Sequence, residues 1–258
     1  MSSEKPLDSE VGKASVERWL DRRRSVLLAR GDFSALVDGY LDHSRRWDRA
    51  PDGLTTILMR QGLAAAALFL SGRPRDESVG WTLSLPNPAP NLFFTGDSAR
   101  GTVTGRFFED TTEDESGHRL YVQSTRPSTG SVQTHLDVSG LDVLGIFEQY
   151  HDRSLQCPAR YFDYDDGRFI MVLSLPNADM EWLRELDREG AEAHVEAQQG
   201  PLDAREFVFM CGCTPERIVD VVRSFYHEDP EGFFEGHEEV EVQCPRCGRL
   251  WSVAEADL

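Results

Sequence analysis

The sequence predicts an α+β protein: a β-rich N-terminal domain with packed helices, a helical linker, and a small C-terminal module built around cysteines. Three observations carry this. Short segments of period-two alternation, separated by Gly, Pro, Asn and Asp, recur between residues 81 and 173. An uninterrupted apolar pattern of helix length covers residues 54–70. Four of the five cysteines fall in the last quarter of the chain, as Cys211-Gly212-Cys213 and Cys244-Pro245-Arg246-Cys247. With 258 residues, 40% hydrophobic and 10% aromatic, the chain has length and apolar content for one large core and one small unit.

Taken in order, residues 1–24 form a polar N-terminal tail and a charged stretch, with a helix expected at 15–24. An α+β domain is expected over 25–178, a linker over 179–205 and the cysteine module over 206–258. Residues 25–30 read as a strand, Gly31-Asp32 as a turn, and 33–37 as the returning arm of a hairpin. A helix follows at 40–47 and stops at Pro51-Asp52-Gly53. The helix at 54–70 contains Ala64 to Ala67 and is apolar round most of its circumference, so it should be buried. Strands are expected at 81–85, 91–95, 102–108, 120–124 and 132–138, with an acidic solvated loop at 109–115. Leu144, Phe147 and Tyr150 share one face of a helix at 141–151. Residues 159–164 and 169–173 make a hairpin around Asp165-Asp166-Gly167, and 180–196 reads as one charged helix. Gln198-Gln199-Gly200-Pro201 then forms a hinge into the module, and no internal repeat is present.

Net charge is −18, from 45 acidic and 27 basic residues. Such a surface repels phosphate backbones, so no nucleic-acid partner is expected. The longest aliphatic run, 63–70, is far short of the roughly 20 residues that span a bilayer. The N-terminal residues lack the charged-then-apolar pattern of a secretory signal. A cytoplasmic setting without a membrane partner is therefore the expectation, and paired thiols there bind metal or sense oxidants more often than they form permanent disulfides.

Cys211, Cys213, Cys244 and Cys247 are the expected ligands of one zinc ion: each close pair supplies two thiolates from one turn, and the metal ties the turns together. The same thiols are also able to close into two disulfides. Thirty residues separate the pairs. Thr214 is a helix N-cap with Pro215 at the first position, where its missing N–H costs nothing. Ile218, Val221, Val222 and Phe225 follow at helical spacing, and Asp229-Pro230 caps a shorter helix. Val240 and Val242 alternate along a strand into the knuckle, and 250–253 is the return strand. A unit of about 50 residues has too little core to fold alone, so metal must supply much of its folding free energy. His227 and His237 are read as surface residues, because four thiolates already complete a tetrahedron. Catalytic zinc needs an open position, and a thioredoxin-type C-x-x-C starts a helix rather than joining two strands, so no enzyme activity and no catalytic residues are expected.

This pattern, C-x-C then about thirty residues then C-x-x-C near the C-terminus, resembles the redox-regulated heat-shock chaperone family of thirty-three kilodaltons, a holdase family. The segment 244–258 resembles that family's closing segment, with Trp251 and Val253 in place of tyrosine and phenylalanine. Ser154-Leu155-Gln156-Cys157-Pro158 resembles its Ser-Glu-Gln-x-Pro signature, and 92–108, with Gly101 to Arg106, its strand pair. The alanine-rich helix also fits, so the resemblance spans about residues 25–258. Three features depart from it: a glycine pair is missing near 169–174, the N-terminal tail is extra, and Cys157 stands where an aliphatic residue is usual, as a small buried hydrophobe would.

The resemblance implies an ATP-independent holdase of the stress response. Zinc is bound in the reduced state, and oxidation forms disulfides Cys211–Cys213 and Cys244–Cys247. Zinc then leaves, the module and linker unfold, and unfolded client proteins bind. It also implies a homodimer on oxidation. Gly212 eases the tight C-x-C bridge. A zinc-stapled protein-binding module without a switch, acting as a constitutive holdase or interaction protein, is the second reading. An RNA-associated zinc module is disfavoured, because residues 228–241 carry seven carboxylates and no Lys or Arg.

Overall fold

The computed structural model describes residues 12–108, 118–228, 233–234 and 236–258. The start of the N-terminal tail, the acidic loop expected at 109–115 and the Asp229-Pro230 cap lie outside the described residues.

The first element among the described residues is a strand, β1 (Lys13–Asp21), and not the helix expected at 15–24. Ala14 and Val16 are buried on one face and Trp19 on the other. The charges between them are matched across the sheet: Arg18 bonds Asp203 and the Ser71 carbonyl, and Arg30 pairs with Glu17. Strand β2 (Val26–Asp32) pairs with β1. The hairpin arm expected at 33–37 is instead the start of helix α1 (Ser34–Arg46), because Asp32 Oδ1 accepts the Ser34 N–H at 2.9 Å and turns the chain.

Helix α2 (Gly53–Ser71) starts where Asp52 accepts the Thr55 N–H at 2.6 Å. By length and composition it is apolar enough to cross a membrane, yet 67% of its apolar window is buried inside the protein. It is the core helix.

Strands β3 (Ser78–Ser84), β4 (Asn91–Asp97), β5 (Thr102–Phe108), β6 (Arg119–Arg126) and β7 (Gly130–Asp137) follow. Helix α3 (Val143–Tyr150), capped by Asp142, runs into a π-helical turn at His151–Leu155. The hairpin β8 (Ala159–Asp163) and β9 (Arg168–Ser174) comes next. The single helix expected at 180–196 is two, α4 (Met180–Glu185) and α5 (Arg188–Glu196), with Asp187 capping the second through the Gly190 N–H at 2.7 Å. Strand β10 (Asp203–Phe209) straddles the expected linker–module boundary at 205/206 and joins the large sheet.

The ten strands are ordered β7-β6-β3-β4-β5-β10-β1-β2-β9-β8, antiparallel except where β10 runs parallel to β5. On one face α2 lies across β4 and β5, with Gly62 set directly over the Phe94 ring. On the other face Leu183, Leu186, Ala191 and Val195 of α4 and α5 cover Trp19, Leu28, Ile170 and Val172. Strand β9 is thus buried on both sides, which is why Phe169–Leu173 reads as an unbroken apolar run without glycines. The C-terminal unit is helix α6 (Pro215–Glu228) and the two-stranded sheet β11 (Glu239–Gln243) with β12 (Leu250–Ala254).

Candidate metal centre

The chain leaves the large sheet at Met210, whose N–H donates to the Val103 carbonyl at 3.0 Å, so Cys211 follows an anchored strand end. Past Cys213, the Thr214 carbonyl accepts from Ile218 at 3.1 Å and its hydroxyl from the Arg217 N–H at 3.3 Å, which fixes the start of α6. Arg217 Nη1 also donates to the Gly212 carbonyl at 2.6 Å. The first pair is therefore held between a strand end and a helix cap.

The second pair sits on a knuckle between β11 and β12. The Cys244 N–H donates to Arg249 at 2.8 Å and Gly248 donates back to the Cys244 carbonyl at 2.9 Å. Gly248 has φ +76°, a left-handed angle that costs glycine nothing. Among the described residues, Ile218, Val222 and Val253 are the buried apolar residues packed beside Cys244 and Cys247, a very small core.

The two turns bring the four cysteine sulfurs within 4.8 Å of one another. Between the turns, the sulfurs are 3.8 Å apart for Cys211–Cys244 and 3.7 Å apart for Cys213–Cys247. With Zn–S near 2.3 Å, a regular tetrahedron has an edge of about 3.8 Å. A disulfide needs about 2.05 Å. The spacing therefore suits four thiolates round one cation. Contacts among the sulfurs hold Cys213 and Cys244 below the usual thiol range and push Cys211 and Cys247 above it. Physically, the space does not tolerate four uncompensated negative charges, and a bound divalent cation removes that penalty. His227 and His237 are exposed and outside the cluster.

Cys157 lies elsewhere, half-buried, with its sulfur 3.7 Å from His151 Nδ1, and burial pushes its thiol pKa up. It is an inert packing residue by this environment.

Residues that sequence reasoning missed are those that seat the knuckle on the large domain. Arg106, on β5, is buried; it donates to the Cys244 carbonyl at 3.1 Å and to Gln243 Oε1 at 2.9 Å, and stacks on Phe108 at 4.5 Å. His43 on α1 donates from Nε2 to the Cys247 carbonyl at 3.0 Å, and desolvation by burial keeps its pKa below the ordinary value. Arg249 stacks between Trp47, at 5.3 Å, and Trp251, at 3.9 Å, and Arg246 reaches Thr95 at 3.3 Å. The one available signal was Arg106 itself, a lone cation in a strand otherwise composed of apolar and small residues.

Fold and site together define a large β-sheet domain carrying a small four-cysteine module docked on one of its faces. Residues 171–253 match the family model described as Hsp33 protein. Among solved structures, the 33 kDa chaperonin (heat shock protein 33 homolog) of Thermotoga maritima has the same fold: TM-score 0.69 at 13% identity, covering 95% of this chain and 96% of that one. No curated protein sequence matches. The chain is thus similar to the Hsp33 family over residues 171–253, as the cysteine pattern suggested, and shares the fold of the Thermotoga maritima chaperonin over nearly its whole length.

Proposed function

We propose that the protein is an ATP-independent holdase of the cytoplasm, switched by oxidation of Cys211, Cys213, Cys244 and Cys247. The observation that carries this reading is the convergence of the four sulfurs, all within 4.8 Å of one another, at the point where the module is pinned to the large domain. We place the division between domain and module at about Met210, since β10 belongs to the sheet. Zinc, when bound by the four thiolates, supplies charge neutralisation and a crosslink between the two turns.

On oxidation, one thiolate gives two electrons to hypochlorite or peroxide and becomes a sulfenic acid. A neighbouring thiol then displaces water from it, forming the disulfide. A second equivalent of oxidant closes the other pair. Pairing within each turn, Cys211–Cys213 and Cys244–Cys247, follows the resemblance, and Gly212 relaxes the shorter loop. With the sulfurs paired, the knuckle loses the geometry that presents the Cys244 and Cys247 carbonyls to Arg106 and His43. The module then undocks, and the apolar surface it covered takes unfolded clients and promotes homodimerisation. Light scattering of heat-denatured citrate synthase tests this. Suppression by the oxidised protein alone is the expected result, and equal suppression by the reduced protein favours a constitutive holdase.

A further inference from the structure

We infer that the folded module carries a binding site of its own, a cleft between α6 and the outer edge of β11 that accepts an extended polypeptide segment of alternating apolar and basic residues. The site rests on the folded module and not on the switch proposed above. Its apolar wall is Val221 and Phe225, which are 50% and 58% exposed, with Val222 beneath them and Phe233 beside them. These are large side chains to leave in water on a unit whose buried core is so small. The open cleft they border has a volume of about 460 Å³, within the range of small-molecule sites.

The opposite wall identifies the occupant. It is lined by four successive residues, Val240 to Gln243. All four border the cleft, which therefore follows the length of the strand. Among the described residues β11 pairs with β12 alone, so its other edge has no strand partner, and residues 240–243 of this edge strand border the cleft. An exposed edge beside an apolar floor is the arrangement that takes an added strand: main-chain hydrogen bonds supply affinity and alternate side chains supply selectivity. Charge sets the remaining side chains. Glu241 lines the cleft, and Glu239 stands two residues before it on the same strand, both of them exposed. An added strand whose outward residues are Lys or Arg is attracted, and one with Asp or Glu is repelled. A second copy of this chain, at net charge −18, is a poor occupant on the same ground.

Because the cleft exists only while α6 and β11 are folded, an occupant favours the folded, reduced module by simple linkage. The test uses reduced, zinc-loaded full-length protein and a fluorescein-labelled eight-residue peptide of alternating Leu and Lys, read by anisotropy. Saturable binding is expected, about tenfold weaker for Phe225→Glu and several-fold weaker for Glu241→Gln and at raised salt. Equal affinity for the Leu/Glu peptide overturns the inference, as does absence of binding. Protein dimers abolished by Phe225→Glu, without peptide binding, assign the cleft to a second copy instead and also overturn it. If Phe225→Glu loses its zinc, Glu241→Gln decides, since that residue is exposed: wild-type affinity and salt dependence in this variant contradict the site. None of these arms involves oxidant, so the outcome is independent of the switch.

Discussion

Replacing Arg106 separates docking of the module from its folding. The guanidinium is buried and donates two hydrogen bonds to the knuckle, to the Cys244 carbonyl and to Gln243. A hydrogen bond with one charged partner contributes about 1.5–3 kcal/mol. Water satisfies part of that once the surfaces separate, so Arg106→Ala should weaken docking by about 3 kcal/mol, or about a hundredfold in the docked-to-undocked ratio. Arg106→Lys should fall between, since one ammonium cannot serve both acceptors in the same geometry. The thiolate cluster is untouched. Hydrogen exchange measured peptide by peptide should therefore show protection lost around His43 to Arg49 and Arg106, with zinc content unchanged. Some client suppression should appear without oxidant. Wild-type protection in Arg106→Ala refutes the role of this residue in docking, and loss of zinc in that variant means that it supports the metal site instead.

Other outcomes follow from the same structure. Cys244→Ser, or chelation of the reduced protein, should unfold the module, because its few buried apolar side chains cannot replace the roughly 10–16 kcal/mol that structural zinc supplies; loss of near-ultraviolet signal from Trp251 reports it. His151 is fully buried and neutral, its Nδ1–H donating to Cys157 and its Nε2 accepting from Tyr161, and burial lowers its pKa to about 3. Unfolding lets it take up a proton near pH 6.5, so this stabilisation is full above 6.5 and is lost as pH falls towards 3. Between pH 7 and 4.5 the wild type should lose about 2–3 kcal/mol more than His151→Gln in urea melts. In Gly62→Ala the new Cβ would stand 2.0 Å from the Phe94 ring. Overpacking should outweigh the gain in helix propensity and lower the unfolding free energy measured in urea melts by about 1–3 kcal/mol.

Much of the local structure was legible because each segment carries its own signal. The apolar circumference of α2, the Gly and Asp turns round β8–β9, and Thr214-Pro215 at the start of α6 are all local chemistry. The strands without a local signal are those whose partners lie far away. Strand β1 looks like a charged helix until Arg18 meets Asp203, 185 residues on, and β10 shows no clean alternation before β1 and β5 flank it. The same holds for the site. Four cysteines at short spacing announce themselves, whereas Arg106 and His43 gain their roles only when β5 and α1 are brought beneath the knuckle.

The most direct measurement follows metal release and amide exchange together while hypochlorite is added to the reduced protein. The expected result is one zinc per chain at the start, then release in step with loss of protection over residues 211–258, while the strands from 78 to 108 stay protected. Metal retained after all four thiols are consumed, or a tail still protected after the metal has gone, would contradict the coupling of sulfur chemistry to order in this module.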